Sequence, residues 1–316
     1  MRIMIIGAGS LGLLFASKLA DFCTELMLVT RTQEQAVELR HKGIELAEMD
    51  LPITTIKNID ISSYIYETSD SHDSSNHEVD YIFLMVKQTA ITEELVRFIQ
   101  SQMTADTYLI CFQNGIGHEH KFSQANGEGN LLLAVTTEGA KRSSWTSVSH
   151  TGHGITHIGA LEPGEQETGL NPHILLAELL ERAGFQTVLS KNMKAMVWHK
   201  LAINAVINPL TAILRVSNGE LLQSSWTRSL MQDLYQEVLL LASVQGISLP
   251  EGLWDTILEV CQATSSNHSS MLQDVEAGRI TEIDYMNGRL VQLAKDMGLK
   301  LPANNMVHQL IKAIEK

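Results

Sequence analysis

Apolar and polar positions change their spacing several times along the first 190 residues of this 316-residue chain. Short apolar runs that end at glycine or polar residues predict strands, and segments with apolar side chains every three or four positions predict helices. Strands are predicted at 2–6, 25–30, 81–87, 108–113, 131–137 and 185–190, with hairpins or paired short strands over 44–57 and 145–161. Helices are predicted at 13–20, 32–43, 88 to about 103, and 173–184.

The pattern changes near residue 191, where strand-like runs give way to helical periodicity that continues to residue 316. Strands that alternate with helices, followed by a helical block, predict an α/β domain joined to an all-α domain. We therefore predict domains at 1–190 and 191–316. The polar segment 66–78 is a predicted surface loop.

Composition narrows the range of partners. The formal net charge of −13 argues against nucleic acid or an anionic membrane as a general partner. The chain has three widely spaced cysteines and no CxxC pair, which argues against a disulfide framework and indicates a reducing compartment. The apolar N-terminal run is too short for a signal peptide, and no stretch approaches the length of a membrane span. We expect a cytoplasmic protein.

Three glycines near the N-terminus match the pattern G-x-G-x-x-G, in the segment "GAGSLG". Alone the pattern is weak, but here it follows a predicted strand and opens a predicted helix, which is the context that dinucleotide binding requires. Gly7 would permit the tight turn, Gly9 would let the backbone approach a pyrophosphate, and Gly12 would allow close packing of strand and helix. Ser10 and Leu11 complete the predicted cofactor turn. The alternative is a glycine turn that binds nothing.

The end of the second strand indicates which dinucleotide is bound. An NAD site usually has Asp or Glu there, as an acceptor for the ribose 2′-hydroxyl. This chain has Thr30 followed by Arg31. A guanidinium suits a 2′-phosphate, so Arg31 favours NADP over NAD; the alternative is a solvated surface arginine. Lys87, at the end of a predicted buried strand, is expected near the phosphates.

A polar stripe interrupts the first long helix of the second half, within "KLAINAVINPLTA". Lys200, Asn204 and Asn208 are spaced at i, i+4 and i+8, which places them on one side of a helix. Such a lysine can polarise a carbonyl group and donate a proton to its oxygen, and burial would lower its pKa. Alternatively, the lysine reaches solvent and the asparagines bond to the backbone. Pro209 removes one helical hydrogen bond and is expected to kink the helix.

Two further motifs have local interpretations. "TEID" predicts a helix start in which Thr281 is the N-cap and Asp284 completes a capping box, with Glu282 in the first turn. "SHTGHGITH" brings three histidines close in sequence: His150, His153 and His157. On a hairpin their spacing does not place all three on one face, so we predict no metal site.

Several motifs follow one another along nearly the whole chain: the glycine turn, Arg31, "VKQT" (86–89), "QNGIG" (113–117), "WHKLAINAVINPLTA" (198–212) and "SSMLQDVEAGRITEIDYMNG" (269–288). In this order they resemble the 2-dehydropantoate 2-reductase (ketopantoate reductase) family. The resemblance implies a Rossmann-type domain, followed by a helical domain like the C-terminal domain of 6-phosphogluconate dehydrogenase. It also implies NADPH-dependent reduction of ketopantoate to (R)-pantoate, on the route to pantothenate and coenzyme A.

The resemblance also implies roles for particular residues. Lys200 and Glu282 would be catalytic, with Glu282 at the hydroxyl end of the substrate and also near the cofactor. Asn204, Asn208 and Ser270 would contact the substrate, with Ser270 at its carboxylate. Asn114 would lie near both the substrate and the nicotinamide, and Lys87 would lie near the cofactor.

Three questions stay open at this level. The substrate could be another branched 2-oxo acid, because the shape of the pocket cannot be read from the sequence. The chain could instead be a non-catalytic NADPH sensor, although a sensor would not need Lys200 together with Glu282. The oligomeric state could be a monomer or a homodimer.

Overall fold

The computed structural model describes residues 1–49, 51–64, 78–122, 130–161 and 172–315. The chain divides into two compact units: Met1–Gln113 with His118–Met193, and Asn114–Gly117 with Lys194–Lys316. All of the predicted loop 66–78 except Glu78 lies outside the described residues.

The described strands all belong to the first unit. They are β1 (Arg2–Ile6), β2 (Glu25–Thr30), β3 (Ile44–Ala47), β4 (Thr54–Ile56), β5 (Asp60–Ser63), β6 (Tyr81–Leu84), β7 (Tyr108–Cys111), β8 (Leu131–Thr136), β9 (Gly139–Arg142), β10 (Ser147–Gly152), β11 (Ile155–Gly159) and β12 (Gln186–Leu189). The described helices of this unit are α1 (Ser10–Leu19), α2 (Gln33–Lys42), α3 (Glu93–Gln102) and α4 (Pro172–Arg182).

The larger sheet has eight strands in the order β12-β11-β8-β7-β6-β1-β2-β5. The six strands from β5 to β8 are parallel to one another, whereas β11 runs antiparallel to β8 and parallel to β12. The order β5-β2-β1-β6-β7-β8 is that of a doubly wound sheet, whose ligands lie at the carboxyl ends of the strands. The prediction of a Rossmann-type α/β domain is confirmed.

The first helix is held on this sheet by aromatic side chains. The Phe15 ring of α1 stacks on Phe185, with ring centroids 4.0 Å apart, and meets Phe112 edge-on at 5.2 Å. All three rings belong to the buried core of the unit. Because α1 begins directly after the glycine turn, this packing also fixes the position of the turn.

A second sheet of four strands has the order β4-β3-β10-β9. The predicted pair over 44–57 is confirmed as antiparallel β3 and β4. The predicted hairpin over 145–161 is wrong, because β10 pairs with β3 and β9 while β11 pairs with β8 and β12 in the larger sheet. Alternation identified both strands, but it does not specify the partner of a strand.

Other boundaries differ from the predictions. The strands predicted at 81–87 and 108–113 end earlier, at Leu84 and Cys111. Strands β5 and β9 were not predicted because their sequences, "DISS" and "GAKR", are short and mostly polar. The predicted helix 32–43 is confirmed as α2, with the Thr32 side chain accepting from Gln35 N and Gly43 at φ +78° after its last turn.

The second unit is helical. Its helices are α5 (Met193–Leu214), α6 (Ser225–Val244), α7 (Leu253–Ala263), α8 (Ser270–Glu276), α9 (Asn287–Asp296) and α10 (Pro302–Ile314). Its described residues contain no strand, as predicted. Among the helices that the structure describes, none is both long and apolar enough to cross a membrane.

Candidate active site

Helix α5 carries the polar stripe and runs through Pro209 without ending there. Proline has no N–H, so the Ala205 carbonyl lacks its usual helical donor. The side chain of Asn287 replaces this donor, with Nδ2 donating to the Ala205 carbonyl at 2.9 Å. Asn287 also donates to Asn304 Oδ1 at 2.9 Å, and both asparagines are fully buried. A buried amide pair therefore offsets the hydrogen bond that the proline removes.

The stripe is at least partly withdrawn from solvent along its length. Lys200 and Asn204 are partly buried, and Asn208 is buried. One turn further along, the Thr211 hydroxyl lies 2.7 Å from the Ser269 hydroxyl, which ties the end of the stripe to α8. Polar side chains that are withdrawn from water in this way need polar partners or a ligand.

Lys200 has an unusual proton affinity. Burial lowers the pKa of its ammonium to about 8, while the charge of Glu282 acts in the opposite direction. A lysine in this state exchanges its proton near neutral pH, unlike an exposed lysine with an ordinary pKa near 10.5. The arrangement can donate a proton to a developing alkoxide and regain it from water.

Glu282 is buried and directly precedes a helical turn at Ile283–Tyr285. The predicted capping box around it is wrong, although the Thr281 hydroxyl does accept a hydrogen bond from Ile283 N at 3.2 Å. Thr281 donates from both its backbone N and its hydroxyl to Glu315 Oε1, at 2.9 and 2.6 Å. Asp284 instead accepts from Lys312 at 2.8 Å. Lys312 in the C-terminal helix and Glu315 directly after it thus take the place of the local partners that the sequence suggested, and they hold Thr281 and Asp284 on either side of Glu282.

Asn114 lies in a short segment, Asn114–Gly117, that belongs to the second unit. Ile116 N donates to the Tyr285 carbonyl at 3.4 Å, which connects this segment to the turn that follows Glu282. Gly117 has φ +99°, a conformation that strains other residues. Asn114 is therefore held close in structure to the segment that carries Glu282.

Ser270, predicted at the substrate carboxylate, is the exposed first residue of α8. Its neighbour Ser269 is the buried N-cap, which accepts from Leu272 N at 3.1 Å and contacts Thr211. Sequence analysis did not single out Ser269, although a serine just before an apolar helical pattern is an ordinary N-cap signal.

The glycine turn in the first unit has three distinct environments. A Cβ on Gly12 would overlap the Gly7 carbonyl, and a Cβ on Gly7, at φ +113°, would lie 2.8 Å from Val86 Cγ1. At Gly9, by contrast, an added Cβ would meet nothing within 4 Å. Gly7 and Gly12 are thus needed for packing, while the open face at Gly9, at the N-terminus of α1, fits the approach of a pyrophosphate.

The residues after β2 and β6 also fit a phosphate-bearing ligand. Thr30 is fully buried and donates its hydroxyl to the Thr32 carbonyl at 2.8 Å, while Arg31 is exposed at the end of β2. Lys87 is exposed but does not end a strand as predicted, because β6 stops at Leu84. These positions offer two cations and no carboxylate at the end of β2.

Arg142 is a cation beside the glycine turn that sequence analysis missed. Its Nη1 donates to the Ala8 carbonyl at 2.9 Å, and its backbone N donates to Ser10 Oγ at 3.2 Å. The residue lies on β9, a strand that was not predicted, and it is more than 130 positions from Ser10 in sequence. No local signal links the two.

The family comparison covers most of the chain. A family model described as "Ketopantoate reductase PanE/ApbA" matches residues 3–163, and "Ketopantoate reductase PanE/ApbA C terminal" matches residues 192–315. A 2-dehydropantoate 2-reductase from Bacillus subtilis (strain 168) is 32% identical over 317 residues, covering 100% of this chain and 98% of the relative. One from Pyrococcus horikoshii is 29% identical over 316 residues, with coverage of 100% and 98%.

Solved structures share the fold over the same length. D-mandelate dehydrogenase with NADH and anilino(oxo)acetate matches at a TM-score of 0.87 and 26% identity, covering 100% of this chain and 98% of that one. A dimeric ketopantoate reductase from Staphylococcus aureus matches at a TM-score of 0.78 and 21% identity, covering 100% and 99%.

Proposed function

The chain belongs to the ketopantoate reductase family, and from that membership we propose that it reduces 2-dehydropantoate (ketopantoate) to (R)-pantoate with NADPH. It is an oxidoreductase, as its relatives named 2-dehydropantoate 2-reductase are. The product would serve pantothenate and coenzyme A synthesis. We propose residues 1–190 as the cofactor-binding domain and residues 191–316 as the substrate domain.

The Lys200–Glu282 pair carries this proposal. The ammonium of Lys200 donates a hydrogen bond to the ketone oxygen, which makes the carbonyl carbon a better hydride acceptor. NADPH, when bound, supplies the hydride. The Lys200 Nζ proton then passes to the new alkoxide, and the neutral amine regains a proton from solvent. A pKa of about 8 supports this cycle, because both protonation states of Lys200 are accessible near neutral pH.

Glu282 has a separate role in the proposal. Its carboxylate accepts a hydrogen bond from the hydroxyl end of the substrate and holds positive charge on Lys200. We assign the substrate carboxylate to Ser270 and further substrate contacts to Asn114, Asn204 and Asn208. Neutral amides orient the substrate without competing with the lysine for charge.

NADPH recognition is assigned mainly to residues of the first unit. Gly7, Gly9, Ser10, Leu11 and Gly12 form the pyrophosphate turn, which the open face at Gly9 supports. Arg31 binds the 2′-phosphate, and the exposed Lys87 contributes positive charge. Asn114 and Glu282 complete the proposed cofactor set.

The test is a matrix of two oxo acids and two nucleotides. NADPH or NADH oxidation is followed by absorbance with ketopantoate or 2-oxoisovalerate as substrate. We expect the highest kcat/KM with ketopantoate and NADPH. Equal turnover with NADH and NADPH would contradict the assignment of Arg31 to the 2′-phosphate. Tight NADPH binding without turnover of either acid would favour a nucleotide sensor.

A second candidate is reduction of a different branched 2-oxo acid. The similarity to D-mandelate dehydrogenase, an enzyme solved with NADH and an oxo acid, favours this alternative over others. It retains Lys200 as the proton donor and changes only the substrate. Faster turnover of 2-oxoisovalerate than of ketopantoate in the same matrix would select it.

Assembly and location are also proposals. The protein would be a monomer or a homodimer that binds a small-molecule substrate, and the dimeric S. aureus relative supports the second form. We propose the cytoplasm as its location, since Cys23, Cys111 and Cys261 are free thiols.

A further inference from the structure

A cluster of metal-ligating side chains lies in the first unit and contains none of the residues assigned to the reductase reaction. Glu138 lies between β8 and β9, His150 on β10, and His153 in the turn that leads to β11. Each offers one ligand atom, and these three atoms all lie within 4.8 Å of one another. His157, the third histidine of the segment, is not part of the cluster. In the folded chain Glu138, and not His157, lies close to His150 and His153. The spacing of the histidines in the sequence could not indicate this carboxylate.

We propose that Glu138, His150 and His153 bind a divalent transition-metal ion, with Zn²⁺ as the best fit. Two imidazoles and one carboxylate form a donor set that zinc accepts, with a fourth position left for water. The softer thiolate ligands are missing from the described cluster, and a purely oxygen-binding ion such as Mg²⁺ would not favour two imidazoles.

The present distances are close to those of a bound site. Ligand atoms at ordinary zinc distances are about 3.3 Å apart in a tetrahedron. His150 Nε2 lies 2.6 Å from Glu138 Oε2, so this pair must open slightly, while the widest separation must close from at most 4.8 Å. His153 is exposed and can make this adjustment by side-chain rotation. Its exposure also provides a route for the ion from solvent.

A second carboxylate stands behind His150. Glu48 Oε1 lies 3.5 Å from His150 Nδ1, and Lys18 Nζ lies 2.7 Å from the same Glu48 oxygen. A metal on Nε2 requires the imidazole proton to be on Nδ1, where Glu48 can accept it. Carboxylate–histidine–metal arrangements of this kind fix the tautomer and orientation of the ligand. This partly buried second partner, together with the buried His150, distinguishes the site from a chance group of surface histidines.

The charges around the site also favour a cation. Glu138 and Glu48 contribute two negative charges, and Lys18 contributes one positive charge that is already paired with Glu48. A divalent ion would neutralise the buried Glu138 carboxylate. If the protein binds no metal here, the Glu138–His150 contact is only a structural hydrogen bond, and His153 takes no part in it.

The test uses untagged protein that has been treated with a chelator and dialysed. Zn²⁺ is titrated against a chromogenic chelator, and Co²⁺ replaces it for visible spectroscopy. We expect one equivalent of tight binding and the intense Co²⁺ bands of a four-coordinate site. His153→Gln should weaken Zn²⁺ binding at least about tenfold, and Glu48→Gln should weaken it roughly 10–100-fold as a second partner. The matched control His157→Gln should leave the affinity unchanged.

Two results would overturn the proposal. One is a wild-type protein that binds no stoichiometric Zn²⁺ and gives only the weak spectrum of hydrated Co²⁺. The other is an equal loss of affinity in His153→Gln and His157→Gln, which would indicate unspecific binding by histidines. Both readouts are independent of reductase turnover, so the metal site and the proposed function can fail separately.

Discussion

Raising the pH should remove the proton donor of the proposed reaction well before ordinary lysines titrate. Burial lowers the Lys200 pKa from 10.5 to about 8, a difference of roughly 3 kcal/mol between its two protonation states. The acid is therefore about nine-tenths protonated at pH 7 and about one-tenth at pH 9. Because only the ammonium can donate, kcat/KM for ketopantoate reduction should be flat below pH 7 and fall about tenfold per unit above pH 8.

The assay measures the rate of NADPH oxidation at low ketopantoate concentration as a function of pH. The rate of the reverse reaction, pantoate oxidation, is measured over the same pH range. The reverse reaction needs the neutral amine, so it should rise through the same pH. Glu282 supports the charged lysine, so Glu282→Gln should move the fall in the reduction rate to lower pH. The Lys200→Arg variant, whose guanidinium stays protonated, should reduce ketopantoate slowly, and its rate should not change with pH over this range. A wild-type reduction profile that stays flat to pH 10 would refute Lys200 as the acid.

Three further predictions concern cofactor binding and stability. Arg31→Ala should raise KM for NADPH roughly 10–100-fold, as expected for lost charged hydrogen bonds, with KM for NADH unchanged; an equal rise for both would contradict 2′-phosphate recognition. Gly9→Ala should weaken NADPH binding at unchanged Tm, whereas Gly12→Ala should lower Tm by overpacking; the opposite order would refute the assigned roles. Asn287→Ala should cost about 1–3 kcal/mol of unfolding free energy for each buried group it leaves unpaired, and less in a Pro209→Ala background that restores the helical donor; strict additivity in urea unfolding would contradict this coupling.

Much of the fold could be predicted because local patterns determine it. The apolar run before the glycine turn and the Gly43 that closes the predicted helix 32–43 are both signals within a few residues. Strand pairing is a property of distant residues, which is why β10 and β11 were wrongly joined in one hairpin. The short polar strands β5 and β9 carry too little apolar signal to be detected at all.

The candidate site shows the same division. The spacing of Lys200, Asn204 and Asn208 on one helix predicted their common face, which the structure buries at Asn208 and partly buries at the other two. The pKa of Lys200 is lowered by burial and raised by the charge of Glu282, a residue far along the chain, so spacing alone could not establish it. The capping box around Glu282 failed for a related reason, because Glu315 is a partner from the end of the chain.

Tertiary contacts also explain what sequence analysis left open about Pro209. From the sequence alone, Pro209 predicted a lost hydrogen bond and a kink, and no residue could be identified that would replace the missing donor. The compensating donor is Asn287, 82 positions from the Ala205 carbonyl that it serves. Arg142 beside Ser10 is a comparable case in the first unit. Neither pair is visible from residues that are neighbours in sequence.

The central claim is that Lys200 is the proton donor of a ketopantoate reductase, and kcat/KM for ketopantoate with NADPH tests it most directly. Lys200→Ala should lower this value at least about 100-fold, as expected for lost acid catalysis. Lys194→Ala, which removes an exposed lysine from the same helix, should leave it unchanged. Near wild-type turnover by Lys200→Ala, or an equal loss in both variants, would contradict the account.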